Sequence, residues 1–113
     1  MLNETDAAVV ELAAMMTAWR DLAVRWGLTW HERRALLPKG GDELASPPAD
    51  TETRMRIMVE IGYRVRFDTP AELDDWLRTP TQTWRWNSPL EVMSGPLADL
   101  RRFRQFVGRG VVA

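Results

Sequence analysis

The sequence contains no cysteine and only one histidine, His31. The lack of cysteine excludes disulfide bridges, thiolate chemistry and cysteine-based zinc sites. No glycine-rich phosphate loop and no histidine pair at metal-ligand spacing accompany His31, which stands beside Glu32 and Arg33 in an expected helix. Asp74 and Asp75 are adjacent, so on a helix they point about 100° apart and do not easily share a proton or a metal. We therefore predict a protein that is not an enzyme and that has no catalytic residues, metal or cofactor.

Long apolar runs are also missing. Residues 7–16 are largely apolar, but Glu4, Asp6 and Glu11 accompany them, whereas a signal peptide begins with basic residues. We interpret this segment as the start of an ordinary helix. No run approaches the ~20 apolar residues of a membrane span, so we expect no membrane association. Together with the lack of cysteine, these absences favour a cytoplasmic protein.

Neither sign of charge dominates the sequence, since 15 basic and 16 acidic residues leave a formal net charge of −1. Residues 1–67 hold nine Lys or Arg and ten Asp or Glu, so no general electrostatic attraction to nucleic acid is expected. The segment 101–113 differs, because it carries four Arg and no acidic side chain. Cations near the C-terminus of a helix interact favourably with the helix dipole, which explains part of this excess.

Local signals in the sequence predict several helix starts. Three pairs have the spacing of a capping box, in which a hydroxyl and a carboxylate satisfy backbone N–H groups at a helix start: Thr29 with Glu32, Thr69 with Glu72, and Ser88 with Glu91. Pro70 and Pro89 follow the second and third caps at the first helical position, where φ is already set. Gly95-Pro96 predicts one more helix, which Gly108 and Gly110 are suited to end.

Two longer helices are predicted before these. An apolar stripe at helical spacing indicates a first helix with one face on a core: Val9, Leu12, Ala13, Met16, Trp19, Leu22, Ala23 and Trp26. A second long helix is predicted over 51–67. Between them, residues 38–50 contain Gly40-Gly41 and Pro47-Pro48, which break helices, and form the one plausible internal hinge. We therefore predict an all-α domain of about five to six helices with a single core.

The order of motifs after Asp68 resembles the toxin-binding domain of Xre/MbcA/ParS-type antitoxins. The matching features are an acidic helix ending Trp76-Leu77-Arg78-Thr79-Pro80, a short loop, Ser88-Pro89-Leu90-Glu91-Val92-Met93, and a basic terminal helix. Trp26-Gly27-Leu28 and Leu36-Leu37 are similar to the helix-turn-helix-like region of that family. The resemblance implies a degenerate helix-turn-helix in residues 1–67, followed by a three-helix toxin-binding region in residues 68–113. The sequence departs from the family in 38–48, which is too rich in Gly and Pro for a recognition helix.

The resemblance implies that the protein neutralises a cognate toxin by direct binding, and also that it is a homodimer. Partner toxins of this class are commonly RES-domain proteins that act on NAD, and the tail 107–113 is expected near their active-site cleft. We assign these residues to the partner-binding surface: Trp76, Trp84, Trp86, Leu90, Arg101, Arg102, Arg104, Arg109, Val111 and Val112. Trp84 and Trp86 stand two apart in a loop, so we expect one to fill the core and the other to cover a partner.

Two alternatives remain open at this point. The first is a dimeric DNA-binding transcription regulator that uses Arg54, Arg56 and Arg64 of the long helix, although such a charge row is also typical of a solvated helix face. The second is a stand-alone adaptor, related to such antitoxins, that has no toxin. The six Trp and six Met fit either plain core packing or apolar surface kept for a partner.

Overall fold

A computed structural model describes the backbone of residues 4–109 and the side chains of residues 6–109. Within that range the protein is all-α, with six α-helices, one short 3₁₀ turn and no strand. The helices are α1 (Glu4–Arg25), α2 (Trp30–Leu36), α3 (Ala49–Arg64), α4 (Pro70–Arg78), α5 (Pro89–Met93) and α6 (Leu97–Gly108). The predicted fold class and number of helices are confirmed. Val111 and Val112 lie outside the described residues.

The predicted caps set where α2 and α5 begin. Thr29 accepts a hydrogen bond from the Glu32 N–H at 3.1 Å and donates its own N–H to the Glu32 carboxylate at 2.9 Å, which closes a capping box. Ser88 and Glu91 form the same reciprocal pair before α5. Each box satisfies two N–H groups that lack a partner within the helix.

The start of α4 differs in detail from the prediction. Thr69 accepts the Glu72 N–H at 3.2 Å, and Pro70 occupies the first helical turn. A capping box would also have the Glu72 carboxylate accept the Thr69 N–H, and at this helix start only the bond to the Thr69 hydroxyl is formed. The cap is therefore a simple one, in which Thr69 alone replaces the missing intrahelical acceptor.

The central helix α3 is shorter than the predicted span of 51–67. It ends at Arg64 because Val65 takes an extended conformation, with φ −90° and ψ 113°. This turns the chain so that Phe67 reaches the Trp76 ring, with centroids 5.6 Å apart. Helical periodicity alone therefore placed the end of α3 three residues too late and its start two residues too late.

Helix α3 packs between α1 and α6, and the core lies along these two contacts. The largest fully buried side chains come from every α-helix: Trp19, Leu22, Leu36, Leu37, Met55, Met58, Ile61, Leu77, Met93, Leu100, Phe103 and Val107. Helices α1 and α3 approach closely at Gly62, where an added Cβ would lie 2.4 Å from Leu22 Cδ1. Residues 6–67 and 68–109 thus contribute to one core.

Arg54 joins three parts of the chain from inside this core. Its side chain donates hydrogen bonds to the carbonyls of Leu36 at 2.5 Å, Met93 at 2.5 Å and Gly95 at 3.0 Å. These carbonyls lie at the C-terminal ends of α2 and α5, where a helix leaves its last acceptors without partners. Burial of the guanidinium lowers the pKa of Arg54. The residue ties α2 and α5 to α3.

The loop 38–48 contains no helix. Gly40 and Gly41 have φ angles of 61° and 94°, which residues with a Cβ rarely adopt. The Gly40 carbonyl accepts a hydrogen bond from the buried Thr51 hydroxyl at 2.5 Å, and Lys39 pairs with Asp50. The loop is therefore attached to the start of α3, and it does not supply the second helix of a helix-turn-helix.

Within residues 4–109, none of the helices combines the length and the apolar character needed to cross a bilayer.

Candidate functional site

The segment 81–87 between α4 and α5 forms a tight hairpin, which we call the Trp86 turn. Thr81 and Asn87 pair as an isolated antiparallel bridge, with the Thr81 N–H donating to the Asn87 carbonyl at 3.3 Å. The Trp86 N–H donates back to the Thr81 carbonyl at 2.8 Å, and the Asn87 N–H donates to the Trp84 carbonyl at 3.0 Å. These bonds leave Arg85 and Trp86 at the tip of the turn.

Both tip residues have a left-handed backbone. Arg85 has φ 55° and ψ 40°, and Trp86 has φ 64°. A hairpin turn with two such residues is normally built from Asn-Gly, because a left-handed conformation costs an L-residue with a Cβ roughly 1–2 kcal/mol. The Trp86 side chain is 68% exposed, so burial of the indole does not offset this cost. Strain of this kind in ordinary residues is often found at functional sites.

Trp84 is placed in the opposite way. Its ring packs at 5.0 Å from Phe103 and at 4.8 Å from Phe106, edge to face against the second. The structure thus partly buries one tryptophan of the pair against the core and exposes the other, the division expected from the sequence. That Trp86 covers a partner stays a prediction. Because Trp84 anchors the turn on α6, the position of Trp86 is set relative to the core.

Basic side chains are exposed on α6 and directly after its end. Arg101, Arg102 and Arg109 are exposed, and Arg102 is only loosely paired with Asp99 at 3.6 Å. Arg104 instead pairs with Glu60 of α3 at 3.3 Å and is less exposed. Of the four predicted basic residues, Arg104 is thus partly used within the fold.

A groove of about 450 Å³ runs between the Trp86 turn and α6. Arg85 from the turn and Arg102 from α6 both line it, together with the carboxylates of Glu91 and Asp99. Its other lining residues are Thr83, Trp84, Asn87, Val92 and Gly95. The turn and α6 therefore share a charged groove, and Arg85, which lines it, is the neighbour of the exposed Trp86 in the chain.

Two predicted partner-binding residues have positions that serve packing. Leu90 is buried, with 6% of its surface exposed, and belongs to the core. Trp76 is partly buried between Phe67 and Phe103, with centroid distances of 5.6 and 5.9 Å. The assignment of Leu90 to a partner surface was wrong for this conformation, because helix α5 turns that side chain inward.

The DNA-contact set is also divided by the structure. Arg54 is 7% exposed and donates its hydrogen bonds to backbone carbonyls, so its assignment to a DNA-binding surface was wrong. Arg56 pairs with Glu52 at 2.9 Å and Glu11 at 3.2 Å, and the hydrogen bond to Glu52 raises the pKa of Arg56. Arg64 donates to a backbone carbonyl of its own helix at 3.3 Å. DNA contact by Arg56 and Arg64 stays a prediction.

Sequence reasoning missed the part played by Arg78. Its guanidinium forms two hydrogen bonds to the Glu32 carboxylate, at 2.8 and 2.9 Å, and one to Asp74 at 2.6 Å. It also donates to the Trp26 and Gly27 carbonyls at 3.2 Å. The spacing of Asp74 and Arg78 on one helix was visible in the sequence, but the contact across 46 residues to Glu32 was not.

The contact between Glu32 and Arg78 shifts their pKa values in opposite directions. Burial raises the pKa of Glu32, but the hydrogen bonds from Arg78 and from the Thr29 N–H outweigh it, so the net pKa is lowered. The hydrogen bond to Glu32 raises the pKa of Arg78. The pair links α2 to the helix that leads into the Trp86 turn.

No group of three or more His, Asp or Glu side chains among the described residues is arranged to hold a metal ion. His31 is exposed, and its ring lies edge-on to Trp30 at 5.2 Å.

Comparison with known proteins identifies one relative. No family model matches the sequence, and no solved structure matches it. The chain is 29% identical over 105 residues to the uncharacterized protein y4oB of Sinorhizobium fredii (strain NBRC 101917 / NGR234), with 83% of this chain and 81% of that protein covered. The alignment covers most of both chains, and the name of the relative states no function.

Proposed function

We propose that this protein is an antitoxin-like binding protein that neutralises a cognate toxin by direct contact with residues 68–113. The observation that carries the proposal is the exposed Trp86, held on a strained turn that shares a charged groove with the exposed Arg102 of α6. This surface falls in the region whose motifs resemble a toxin-binding domain. A RES-domain toxin that acts on NAD is the expected partner, with Val111 and Val112 of the tail near its cleft.

The distribution of charge supports a surface of this kind. Residues 81–113 carry five Arg and two acidic residues, whereas residues 1–80 carry ten basic and fourteen acidic residues. A protein of net charge −1 thus has a basic C-terminal part and an acidic remainder. Complementary charge steers association and orients the partners, so the C-terminal part is suited to an acidic protein surface.

The alternative of a DNA-binding regulator has less support. A recognition helix would fall in 38–48, where the structure has a loop, and Arg54 is buried. Phosphate contacts from several free cations are what drive most DNA binding, and Arg56 is already paired with two carboxylates. Homodimerisation and cytoplasmic localisation stay predictions.

The proposal is tested by co-expression with the protein encoded beside this gene. We expect that protein to arrest growth when expressed alone, and this chain to relieve the arrest and to co-purify with it. A complex that survives from about 50 to 200 mM salt would favour a protein interface, since DNA binding through many phosphates weakens by orders of magnitude over that range. Absence of arrest and of a complex would contradict the proposal, and binding to the upstream promoter would then support the regulator.

A further inference from the structure

Two tryptophans are about equally exposed, Trp30 at 65% and Trp86 at 68%, but only one of them has local partners. The Arg34 guanidinium lies over the Trp30 ring at 5.5 Å, and the His31 ring meets it edge-on. Around Trp86, no ring or guanidinium among residues 6–109 makes such a contact. Its indole is therefore free to enter a pocket on another molecule.

The backbone at Trp86 is fixed by a hydrogen bond and by the packing of a neighbouring side chain. Its N–H is hydrogen-bonded to Thr81 at 2.8 Å, and the neighbouring Trp84 is packed on Phe103 and Phe106. A large side chain with two χ angles on a fixed turn loses little conformational freedom on binding. Exposed indoles presented in this way are frequent hot spots of protein interfaces.

The charges around the indole define the partner. Arg85 precedes Trp86 at the tip, and Arg102, with a side chain 74% exposed, faces the same groove. Stacking of a nucleobase on Trp86 would need a basic path for the phosphates. Glu91 and Asp99 line that groove and oppose a polyanion. The groove thus carries both positive and negative side chains. A protein partner fits this mixture if its own carboxylates lie opposite Arg85 and Arg102 and away from Glu91 and Asp99.

We infer that Trp86 is the anchor of the interface, and that the partner offers it an apolar pocket bordered by carboxylates that pair with Arg85 and Arg102. This inference rests on the proposed function and specifies the chemistry of the toxin surface. It also assigns the strained backbone a role, because the left-handed conformation of both tip residues directs the indole away from the core.

The test compares Trp86→Ala with the matched control Trp30→Ala in binding to the protein encoded beside the gene. Isothermal titration calorimetry with the full chain should show that Trp86→Ala weakens the affinity about 30-fold or more, the loss typical of a hot spot, whereas Trp30→Ala changes it by less than about 2-fold. Both residues are exposed, so both variants should keep the wild-type circular dichroism spectrum and melting temperature.

Charge reversal tests the border of the pocket. Arg85→Glu and Arg102→Glu should each weaken binding about 10-fold at low salt, and less as salt rises, while Arg20→Glu on the exposed side of α1 should not. Equal affinity of Trp86→Ala and wild type would overturn the inference and leave the proposed function standing. Failure of the wild-type chain to bind overturns both. Tight binding of a 20-nucleotide single strand, with a quenching of tryptophan fluorescence that Trp86→Ala removes, would replace the protein partner with nucleic acid.

Discussion

The start of α2 and the Trp86 turn each expose a tryptophan, and the two regions reach that result differently. Trp30 is the first residue of a capped helix, so its conformation is the ordinary helical one. Trp86 has φ 64° next to Arg85 with φ 55°. Exposed area alone does not separate the two side chains. Backbone conformation does, because only the turn holds its tryptophan outside at a conformational cost.

The two regions also differ in what compensates their local energetics. The Thr29 capping box stabilises α2 by about 1 kcal/mol, so the local signal and the structure agree there. The Trp86 turn costs roughly 1–2 kcal/mol at each of two residues, and the aromatic contacts of Trp84 offset part of it. The turn therefore depends on tertiary packing, which explains why local sequence signals did not predict its shape.

The largest expected effect comes from breaking the links that Arg54 makes between α3 and the C-terminal ends of α2 and α5. Arg54→Met should lower the free energy of unfolding by about 3 kcal/mol, because the carbonyls of Leu36, Met93 and Gly95 lose their donors inside the core. Urea denaturation followed by circular dichroism measures it. Arg56→Met on the same helix is the control and should cost less than about 1 kcal/mol, since its ion pairs are at the surface. Similar losses for both variants would contradict the role of Arg54.

A smaller effect should follow from the second connection, between Glu32 and Arg78. Because the folded state lowers the pKa of Glu32, the pair stabilises the fold fully above the ordinary glutamate pKa of about 4.3, and less as pH falls through the lowered value. Wild type should therefore lose about 1 kcal/mol more stability between pH 6 and pH 3 than Glu32→Gln does. Thermal denaturation across that range gives the comparison. Parallel pH profiles would show that the pair contributes nothing to stability.

The smallest effect isolates the strain of the turn. Arg85→Gly should raise the free energy of unfolding by about 1 kcal/mol, because glycine takes a left-handed conformation without the penalty of a Cβ. Arg34→Gly, at an exposed helical position of α2, is the control and should lower stability by about 1 kcal/mol. A stability loss for Arg85→Gly would mean that its side chain stabilises the turn by more than the strain costs.

Much of the fold followed from short-range signals. The hydroxyl caps at Thr29, Thr69 and Ser88 placed the starts of α2, α4 and α5 within a residue or so, since these hydrogen bonds form between residues three apart. Most of the apolar stripe of α1 and the loop after Leu37 were also recognisable from spacing and composition, but Val9 and Ala13, predicted to face the core, are exposed. The end of α3 was not, because it depends on how Phe67 meets Trp76 in another helix.

The candidate site was predicted less completely. The sequence placed a Trp pair between two helices and arginines near the end of the chain, but Leu90 and Trp76 proved to be packing residues. No local pattern shows which side of a short helix faces the core when the helix has only five residues, as α5 has. The surface that remains is the Trp86 turn with Arg102, while Arg101 and Arg109 are exposed without a shown contact to the turn.

By itself, then, the sequence determined the helical class of this protein, most of its helix starts and the basic character of its last segment, because these depend on neighbours within one or two turns. Tertiary structure alone decided that Arg54 is a buried link, that Arg78 reaches Glu32, and that Trp84 packs inward while Trp86 stays outside. Those outcomes require contacts between residues far apart in the chain, and the energy of such contacts can overcome local preference, as it does at the left-handed tip of the turn.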